Sequence, residues 1–166
     1  MLKTLRTRMQ DDKGFTLIEL MVVVLIIAIL IAIAIPTFLG LRRRAQDRAA
    51  QSDLRNALTN AKAFFADTED YSTVTVAALT TQEPSLTFVD SATASASGND
   101  YAVSVNVGTT NTASDTFSAA RLSASNTCFY IKDIGTSNPA VGGTFYGLGG
   151  ACTGAGAMAA ALRSWS

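Results

Sequence analysis

The sequence predicts an α+β protein in which one long N-terminal helix, apolar in its first half and amphipathic in its second, packs on a small antiparallel sheet. Three observations carry this. Leu20 to Leu41 is 22 residues without a charge. Beyond it Leu54, Leu58, Ala61 and Phe65 recur at helical spacing. From Leu86 onward, short alternating apolar runs are separated by turn residues, the pattern of a meander.

The first run, taken as a helix, is about 33 Å long, enough to cross a hydrocarbon core. The helical period then continues, with Ala45, Ala49, Ala50 and Ala57 adding good helix formers and Asp47, Arg48, Asp53, Arg55 and Lys62 available for the opposite face. One helix therefore extends from about Phe15 to about Ala66, about 77 Å if straight. Pro36 lacks an N–H and crowds the preceding turn, so a kink is expected there. The first half belongs in lipid or in a filament core; the second belongs against a globular head, with Phe64 and Phe65 as anchors.

Residues 67–84 contain DTEDYST and TQEP and are expected to be loop. Their acids, Asp67, Glu69 and Asp70, lack the glycine turn and ligand ladder of an EF-hand and suit a solvated loop. Leu86–Val89, Tyr101–Val107, Phe117–Leu122 and Cys128–Ile131 are the strand candidates, Tyr101–Val107 alternating most cleanly. Seven of the twelve glycines lie between Gly142 and Gly156, and no Gly-Lys-Ser/Thr follows them, so a flexible loop is expected rather than a phosphate cradle. Ala157 to Leu162 favours a short helix, which Trp165 could dock.

Charge is segregated although the net charge is zero. Residues 1–14 balance at +2, residues 42–66 at +4 and residues 67–166 at −5. The acidic head, without a basic–aromatic stripe, argues against direct nucleic-acid binding. The absence of histidine removes the commonest general base and most zinc sites, and no cofactor site is expected. Cys128 and Cys152 would pair in an exported domain and remain thiols in the cytosol.

The N-terminus bears on compartment, and three possibilities stand. An ordinary signal peptide could be cut after Ala32-Ile33-Ala34, but the run is long for one and opens on Glu19. A plain membrane anchor would keep the whole segment. A cut before the apolar run would leave the hydrophobic helix on the mature chain. Basic residues flank the run on both sides, so the positive-inside rule leaves orientation balanced. Arg42-Arg43-Arg44 could be a solvated stop, or could meet lipid head groups or acidic heads of neighbouring subunits.

Gly14-Phe15-Thr16-Leu17-Ile18-Glu19-Leu20, ahead of an apolar run, resembles the signal of type IV prepilins. Pro36 matches a proline at the corresponding depth of many pilin helices; Ala28 stands where many members carry a glycine. The resemblance is specific over residues 14–36 and looser beyond. It implies a leader, residues 1–14, removed after Gly14 by a prepilin peptidase that also N-methylates Phe15. It implies a helix over 15–66 whose 15–41 half lies in membrane or filament core, and a head over 67–166 closed by a Cys128–Cys152 disulfide. A carboxylate in a bilayer helix is costly and needs a partner; the ammonium created at Phe15 would supply one for Glu19, within a subunit or between neighbours.

The function so implied is a structural subunit of a type IV pilus-like filament, with no enzymatic activity. Its partners would be further copies of itself, the peptidase/methyltransferase, and an assembly platform with its ATPase. It would sit in the bacterial cytoplasmic membrane, head outside, before assembly and on the cell surface afterwards. Motility, adhesion, secretion or DNA uptake would be served by such a fibre. A minor pilin or pseudopilin of a type II secretion or DNA-uptake system carries the same signal, and a membrane-tethered extracellular binding protein is the rival of another class.

Overall fold

A computed structural model describes residues 14–108, 116–135 and 142–160. The leader up to Lys13, and the tail holding Leu162 and Trp165, lie outside the described residues. The chain divides between Leu41 and Arg42 into two compact units. One helix, α1 (Leu17–Thr68), runs through that boundary.

In the first unit the apolar side chains of α1 are all exposed, among them Leu25, Ile26 and Ile29. Pro36 lies inside the helix, and Thr37 Oγ1 donates to the Ile33 carbonyl at 3.2 Å.

The second unit has its own core. Its part of α1 buries Ala50, Leu54, Ala57, Leu58 and Ala61, a stripe with helical period. Glu69, at φ 56°, takes the left-handed conformation that stops a helix, and its N–H reaches the Phe65 carbonyl at 2.7 Å. The segment expected to be loop then folds further. Asp70 caps a 3₁₀ turn over Tyr71–Thr73 by accepting from the Ser72 N–H, and Thr75 caps α2 (Val76–Gln82) by accepting from the Ala78 N–H. These caps satisfy helix N–H groups that a short element otherwise leaves open, which is why polar residues here make helix rather than loop.

Five strands follow: β1 (Phe88–Val89), β2 (Val103–Gly108), β3 (Thr116–Leu122), β4 (Cys128–Ile134) and β5 (Gly143–Gly149). They lie side by side in chain order. β2 to β5 form the antiparallel meander, but β1 pairs with β2 in parallel, Phe88 beside Val103, so the sheet is mixed. β5 also corrects the expectation of a flexible glycine loop: Gly147 pairs with Tyr130 and Gly149 with Cys128 along a full ladder. Gly149 is required there, because a Cβ would fall 1.9 Å from the Tyr130 ring.

Both faces of the sheet are covered. On one, Val103, Val105, Phe117, Ala119, Phe129 and Ile131 pack with the α1 stripe, Tyr71 and Leu79. On the other, Ala120, Cys128 and Tyr130 pack with Cys152 and Ala157 of the C-terminal segment. That segment forms α3 (Gly154–Ala159), which starts three residues earlier than expected, capped by Thr153. Gly154 rests directly on β2: its N–H donates to Ser104 Oγ at 2.8 Å, its carbonyl accepts from Ser118 Oγ at 3.0 Å, and a Cβ would meet the Asn106 nitrogen at 2.6 Å.

Two polar ties hold α1 to the sheet. Arg121 of β3 meets Asp53 at 2.7 Å and donates to the Tyr101 carbonyl at 2.6 Å; the burial of Asp53 raises its pKa more than the guanidinium lowers it. Asp133 of β4, 5% exposed, accepts from Tyr71 Oη at 2.6 Å and from Thr144 Oγ1 at 2.5 Å and pairs with Lys62 at 3.0 Å. Burial, and then the bond to Asp133, push the Tyr71 phenol far up from its usual value.

Candidate processing and assembly site

Gly14 and Phe15 precede α1, and Phe15 is 88% exposed, so the Gly14–Phe15 bond lies open at the head of the helix. Thr16 and Glu19 then close a reciprocal cap. Glu19 Oε2 accepts from the Thr16 N–H at 2.8 Å and from Thr16 Oγ1 at 2.6 Å, and Thr16 Oγ1 accepts from the Glu19 N–H at 3.3 Å. This is a capping box, in which an N-terminal Thr and an acid three residues on satisfy each other's backbone donors. The carboxylate also lies where the positive end of the helix dipole favours an anion.

Sequence reasoning missed this role for Glu19. The Thr-x-x-Glu spacing ahead of an apolar run is its signal, a partner closer at hand than the Phe15 ammonium. In the uncleaved chain that ammonium does not exist, and Thr16 takes its place. The apolar part of α1 around and beyond Glu19 has a mean hydropathy of 3.3 with none of it buried, and it is long enough to cross a membrane. Pro36 lies further along the same segment.

The other predicted pair lies in the second unit. Cys128, at the start of β4, and Cys152, just before α3, form a disulfide, with Cα atoms 5.6 Å apart. It fastens the C-terminal segment across the face of the sheet opposite the α1 stripe. Tyr130 donates a short hydrogen bond to the Ala151 carbonyl beside it. Among the described residues no group of three or more His, Cys, Asp or Glu is placed to hold a metal ion.

An exposed apolar helix carried into a small α+β head, with an acid just inside its N-terminus, is a pilin-like architecture. Residues 9–35 match the prokaryotic N-terminal methylation motif, and a stretch of about sixty residues is similar to type IV major pilins. It is 48% identical over 61 residues to the type IV major pilin protein PilA of Myxococcus xanthus, covering 37% of this chain and 28% of that one. It is 43% identical over 63 residues to the type IV wide pilus major component PilA4 of Thermus thermophilus, covering 38% of this chain and 48% of the relative. The chain thus spans less than half the length of these relatives. No solved structure matches it significantly.

Proposed function

We propose that this chain is the structural subunit of a type IV pilus-like surface filament. Cleavage after Gly14 and N-methylation of Phe15 release a subunit whose 15–41 half is held first in the membrane and then in the filament core. Residues 67–166 form the outward head, and the α1 stripe from Ala50 to Ala61 joins head to helix. The observation that carries the reading is Glu19, an acid one helical turn past an open Gly14–Phe15 bond, at the start of an apolar segment with no cover of its own. Cleavage places an ammonium within reach of that carboxylate. In low dielectric the pair attracts strongly while desolvation cancels much of the gain, so its value lies in register: helices associate where Glu19 is paired.

The partners of this reading are further copies of the chain, a prepilin peptidase and an assembly machinery driven by an ATPase. The location is the cytoplasmic membrane before assembly and the cell surface after it. The subunit performs no catalysis and takes no cofactor; the chemistry is done to it.

The test is the N-terminus and intact mass of the protein recovered from the cell surface, with Glu19→Ala beside it. A start at N-methylated Phe15, with filaments lost in Glu19→Ala, is the expected result. A start after Ala34 would make the segment an ordinary signal peptide, and a start at Met1 a tether. Normal filaments from Glu19→Ala would remove the pairing from the account.

A further inference from the structure

Arg42, Arg43, Arg44 and Arg48 follow the apolar run directly and are not absorbed by the assembly reading. All four lie on α1, all are exposed, and neither salt bridge among the described residues uses them. The nearest acid, Asp47, accepts a short hydrogen bond from Ser125 Oγ.

Two placements say what they meet. The uncharged stretch Leu20–Leu41 is about as long as a hydrocarbon core is thick, so the first arginine beyond it stands at head-group depth on the head's side. Successive helical residues are 100° apart, so Arg42, Arg43 and Arg44 fan over about 200° of the helix instead of lining one stripe. A neighbouring acidic head approaches from one side and would be matched by residues three or four apart, as Arg44 and Arg48 are, but not by Arg42 and Arg43, which point away from that line. A layer of lipid phosphates surrounds a helix and is matched by a fan.

We propose that Arg42, Arg43, Arg44 and Arg48 form a girdle that binds the phosphates of anionic phospholipids on the head's side of the membrane, an inference that rests on the membrane-held stage of the function above. Arginine suits this role, since its planar fork takes two phosphate oxygens at once and stays charged at every physiological pH. The girdle steadies the depth of the waiting subunit, and the subunit must shed these lipids when it enters a filament.

The experiment reconstitutes the full chain, and its Arg42→Gln/Arg43→Gln/Arg44→Gln/Arg48→Gln variant, in phosphatidylcholine vesicles. Trace spin-labelled phosphatidylglycerol or phosphatidylcholine reports which lipid each chain prefers. The leader's basic residues are common to both chains, so the difference isolates the girdle. The wild type is expected to prefer phosphatidylglycerol at least about five-fold more than the variant, the effect of one of the four basic residues at a charged surface. High salt should erase the difference, and the corresponding all-lysine variant should keep most of it.

Equal preference in the two chains overturns the proposal. If the two chains show equal preference and the glutamine variant still fails to build filaments, the arginines meet a neighbour's acidic head instead. Competition by inorganic phosphate beyond that of chloride at equal ionic strength would make the site one for free phosphate, and the lipid assignment would fall. Alkaline carbonate extraction separates the two levels: a chain released to the supernatant takes the membrane reading down with the proposal, whereas a chain that stays in the membrane without lipid preference sinks the proposal alone.

Discussion

The two halves of α1 obey the same backbone rules in different surroundings. Up to Leu41 the helix is apolar on every side, and Leu25 is 61% exposed. From Arg42 the apolar residues narrow to one stripe, and Leu54 is fully buried. Both halves are helical although the first is built from β-branched Ile and Val and the second from better helix formers; what separates them is where each must put its side chains. The first half carries apolar surface that nothing among the described residues covers, whereas the second finds its cover within the same chain. A substitution should therefore be felt as association in one half and as folding stability in the other.

The largest effect should come from the disulfide, on the sheet face opposite the α1 stripe. Replacing Cys128 and Cys152 by serine opens a loop with a sequence separation of 24 and should cost about 3.5 kcal/mol on chain-entropy grounds. Urea unfolding of the oxidised protein against the variant measures this, and an equal midpoint would mean that the packing around Ala157 and Tyr130 holds the segment without the bond.

The sharpest contrast between the halves is one substitution made twice. Leu54→Ala should destabilise the second unit by about 3 kcal/mol, since its side chain is fully enclosed. Leu25→Ala should leave head stability within about 0.5 kcal/mol and alter only membrane retention or filament yield. Equal losses in the two variants, measured in the same detergent, would break the comparison.

Asp133→Ala comes next. It leaves the Tyr71 and Thr144 hydroxyls without their acceptor and should cost about 2 kcal/mol. Lys62→Met, at the half-exposed end of the same network, should cost less than about 1 kcal/mol. A larger loss from Lys62→Met would make the ion pair, and not the buried hydroxyls, the tie.

The smallest effect is a pH dependence. Hydrogen bonds from the Thr93 N–H and hydroxyl, and from the Ala92 N–H, hold the pKa of Asp90 below its ordinary value. Its contribution is therefore present above the unfolded value, near about 3.9, and lost as pH falls through the lower folded value. The stability gap between wild type and Asp90→Ala should be flat above about pH 5 and close below about pH 4. A gap that persists into acid would assign the turn's stability to something other than the carboxylate.

Much of this was legible in the sequence. The stripe through Leu54, Leu58 and Ala61 could be read because a helix buries residues at its own period, and β2 could be read because its apolar residues alternate. β5 could not: Gly143, Gly147 and Gly149 show no side-chain pattern, and what makes the strand is its ladder to β4. The parallel pairing of β1 depends on register with residues fifteen positions on, Phe88 with Val103, which a two-residue strand cannot announce. The tie at Asp133 joins residues from α1, the 3₁₀ turn, β4 and β5 that only the folded sheet brings together. At the N-terminus the pattern was legible and incompletely used: the Thr16–Glu19 box is a local spacing rule, and it says what the carboxylate does before any neighbour arrives.

The order of the strands also bears on how the molecule comes into being. Each strand pairs with its neighbour in the chain, so the sheet closes through short loops at little entropic cost. The contacts of the α1 stripe are the distant ones, since Leu54 shares a core with Phe117 and Ile131. The helix that leaves the synthesis machinery first is thus the last part of the head to gain its partners. Leu54→Ala should accordingly quicken unfolding and leave the folding rate almost unchanged in stopped-flow measurements, the signature of a contact made after the barrier. Until that docking, the stripe is one more apolar face on an already apolar helix, and the chain carries two surfaces in search of cover where the folded protein carries one.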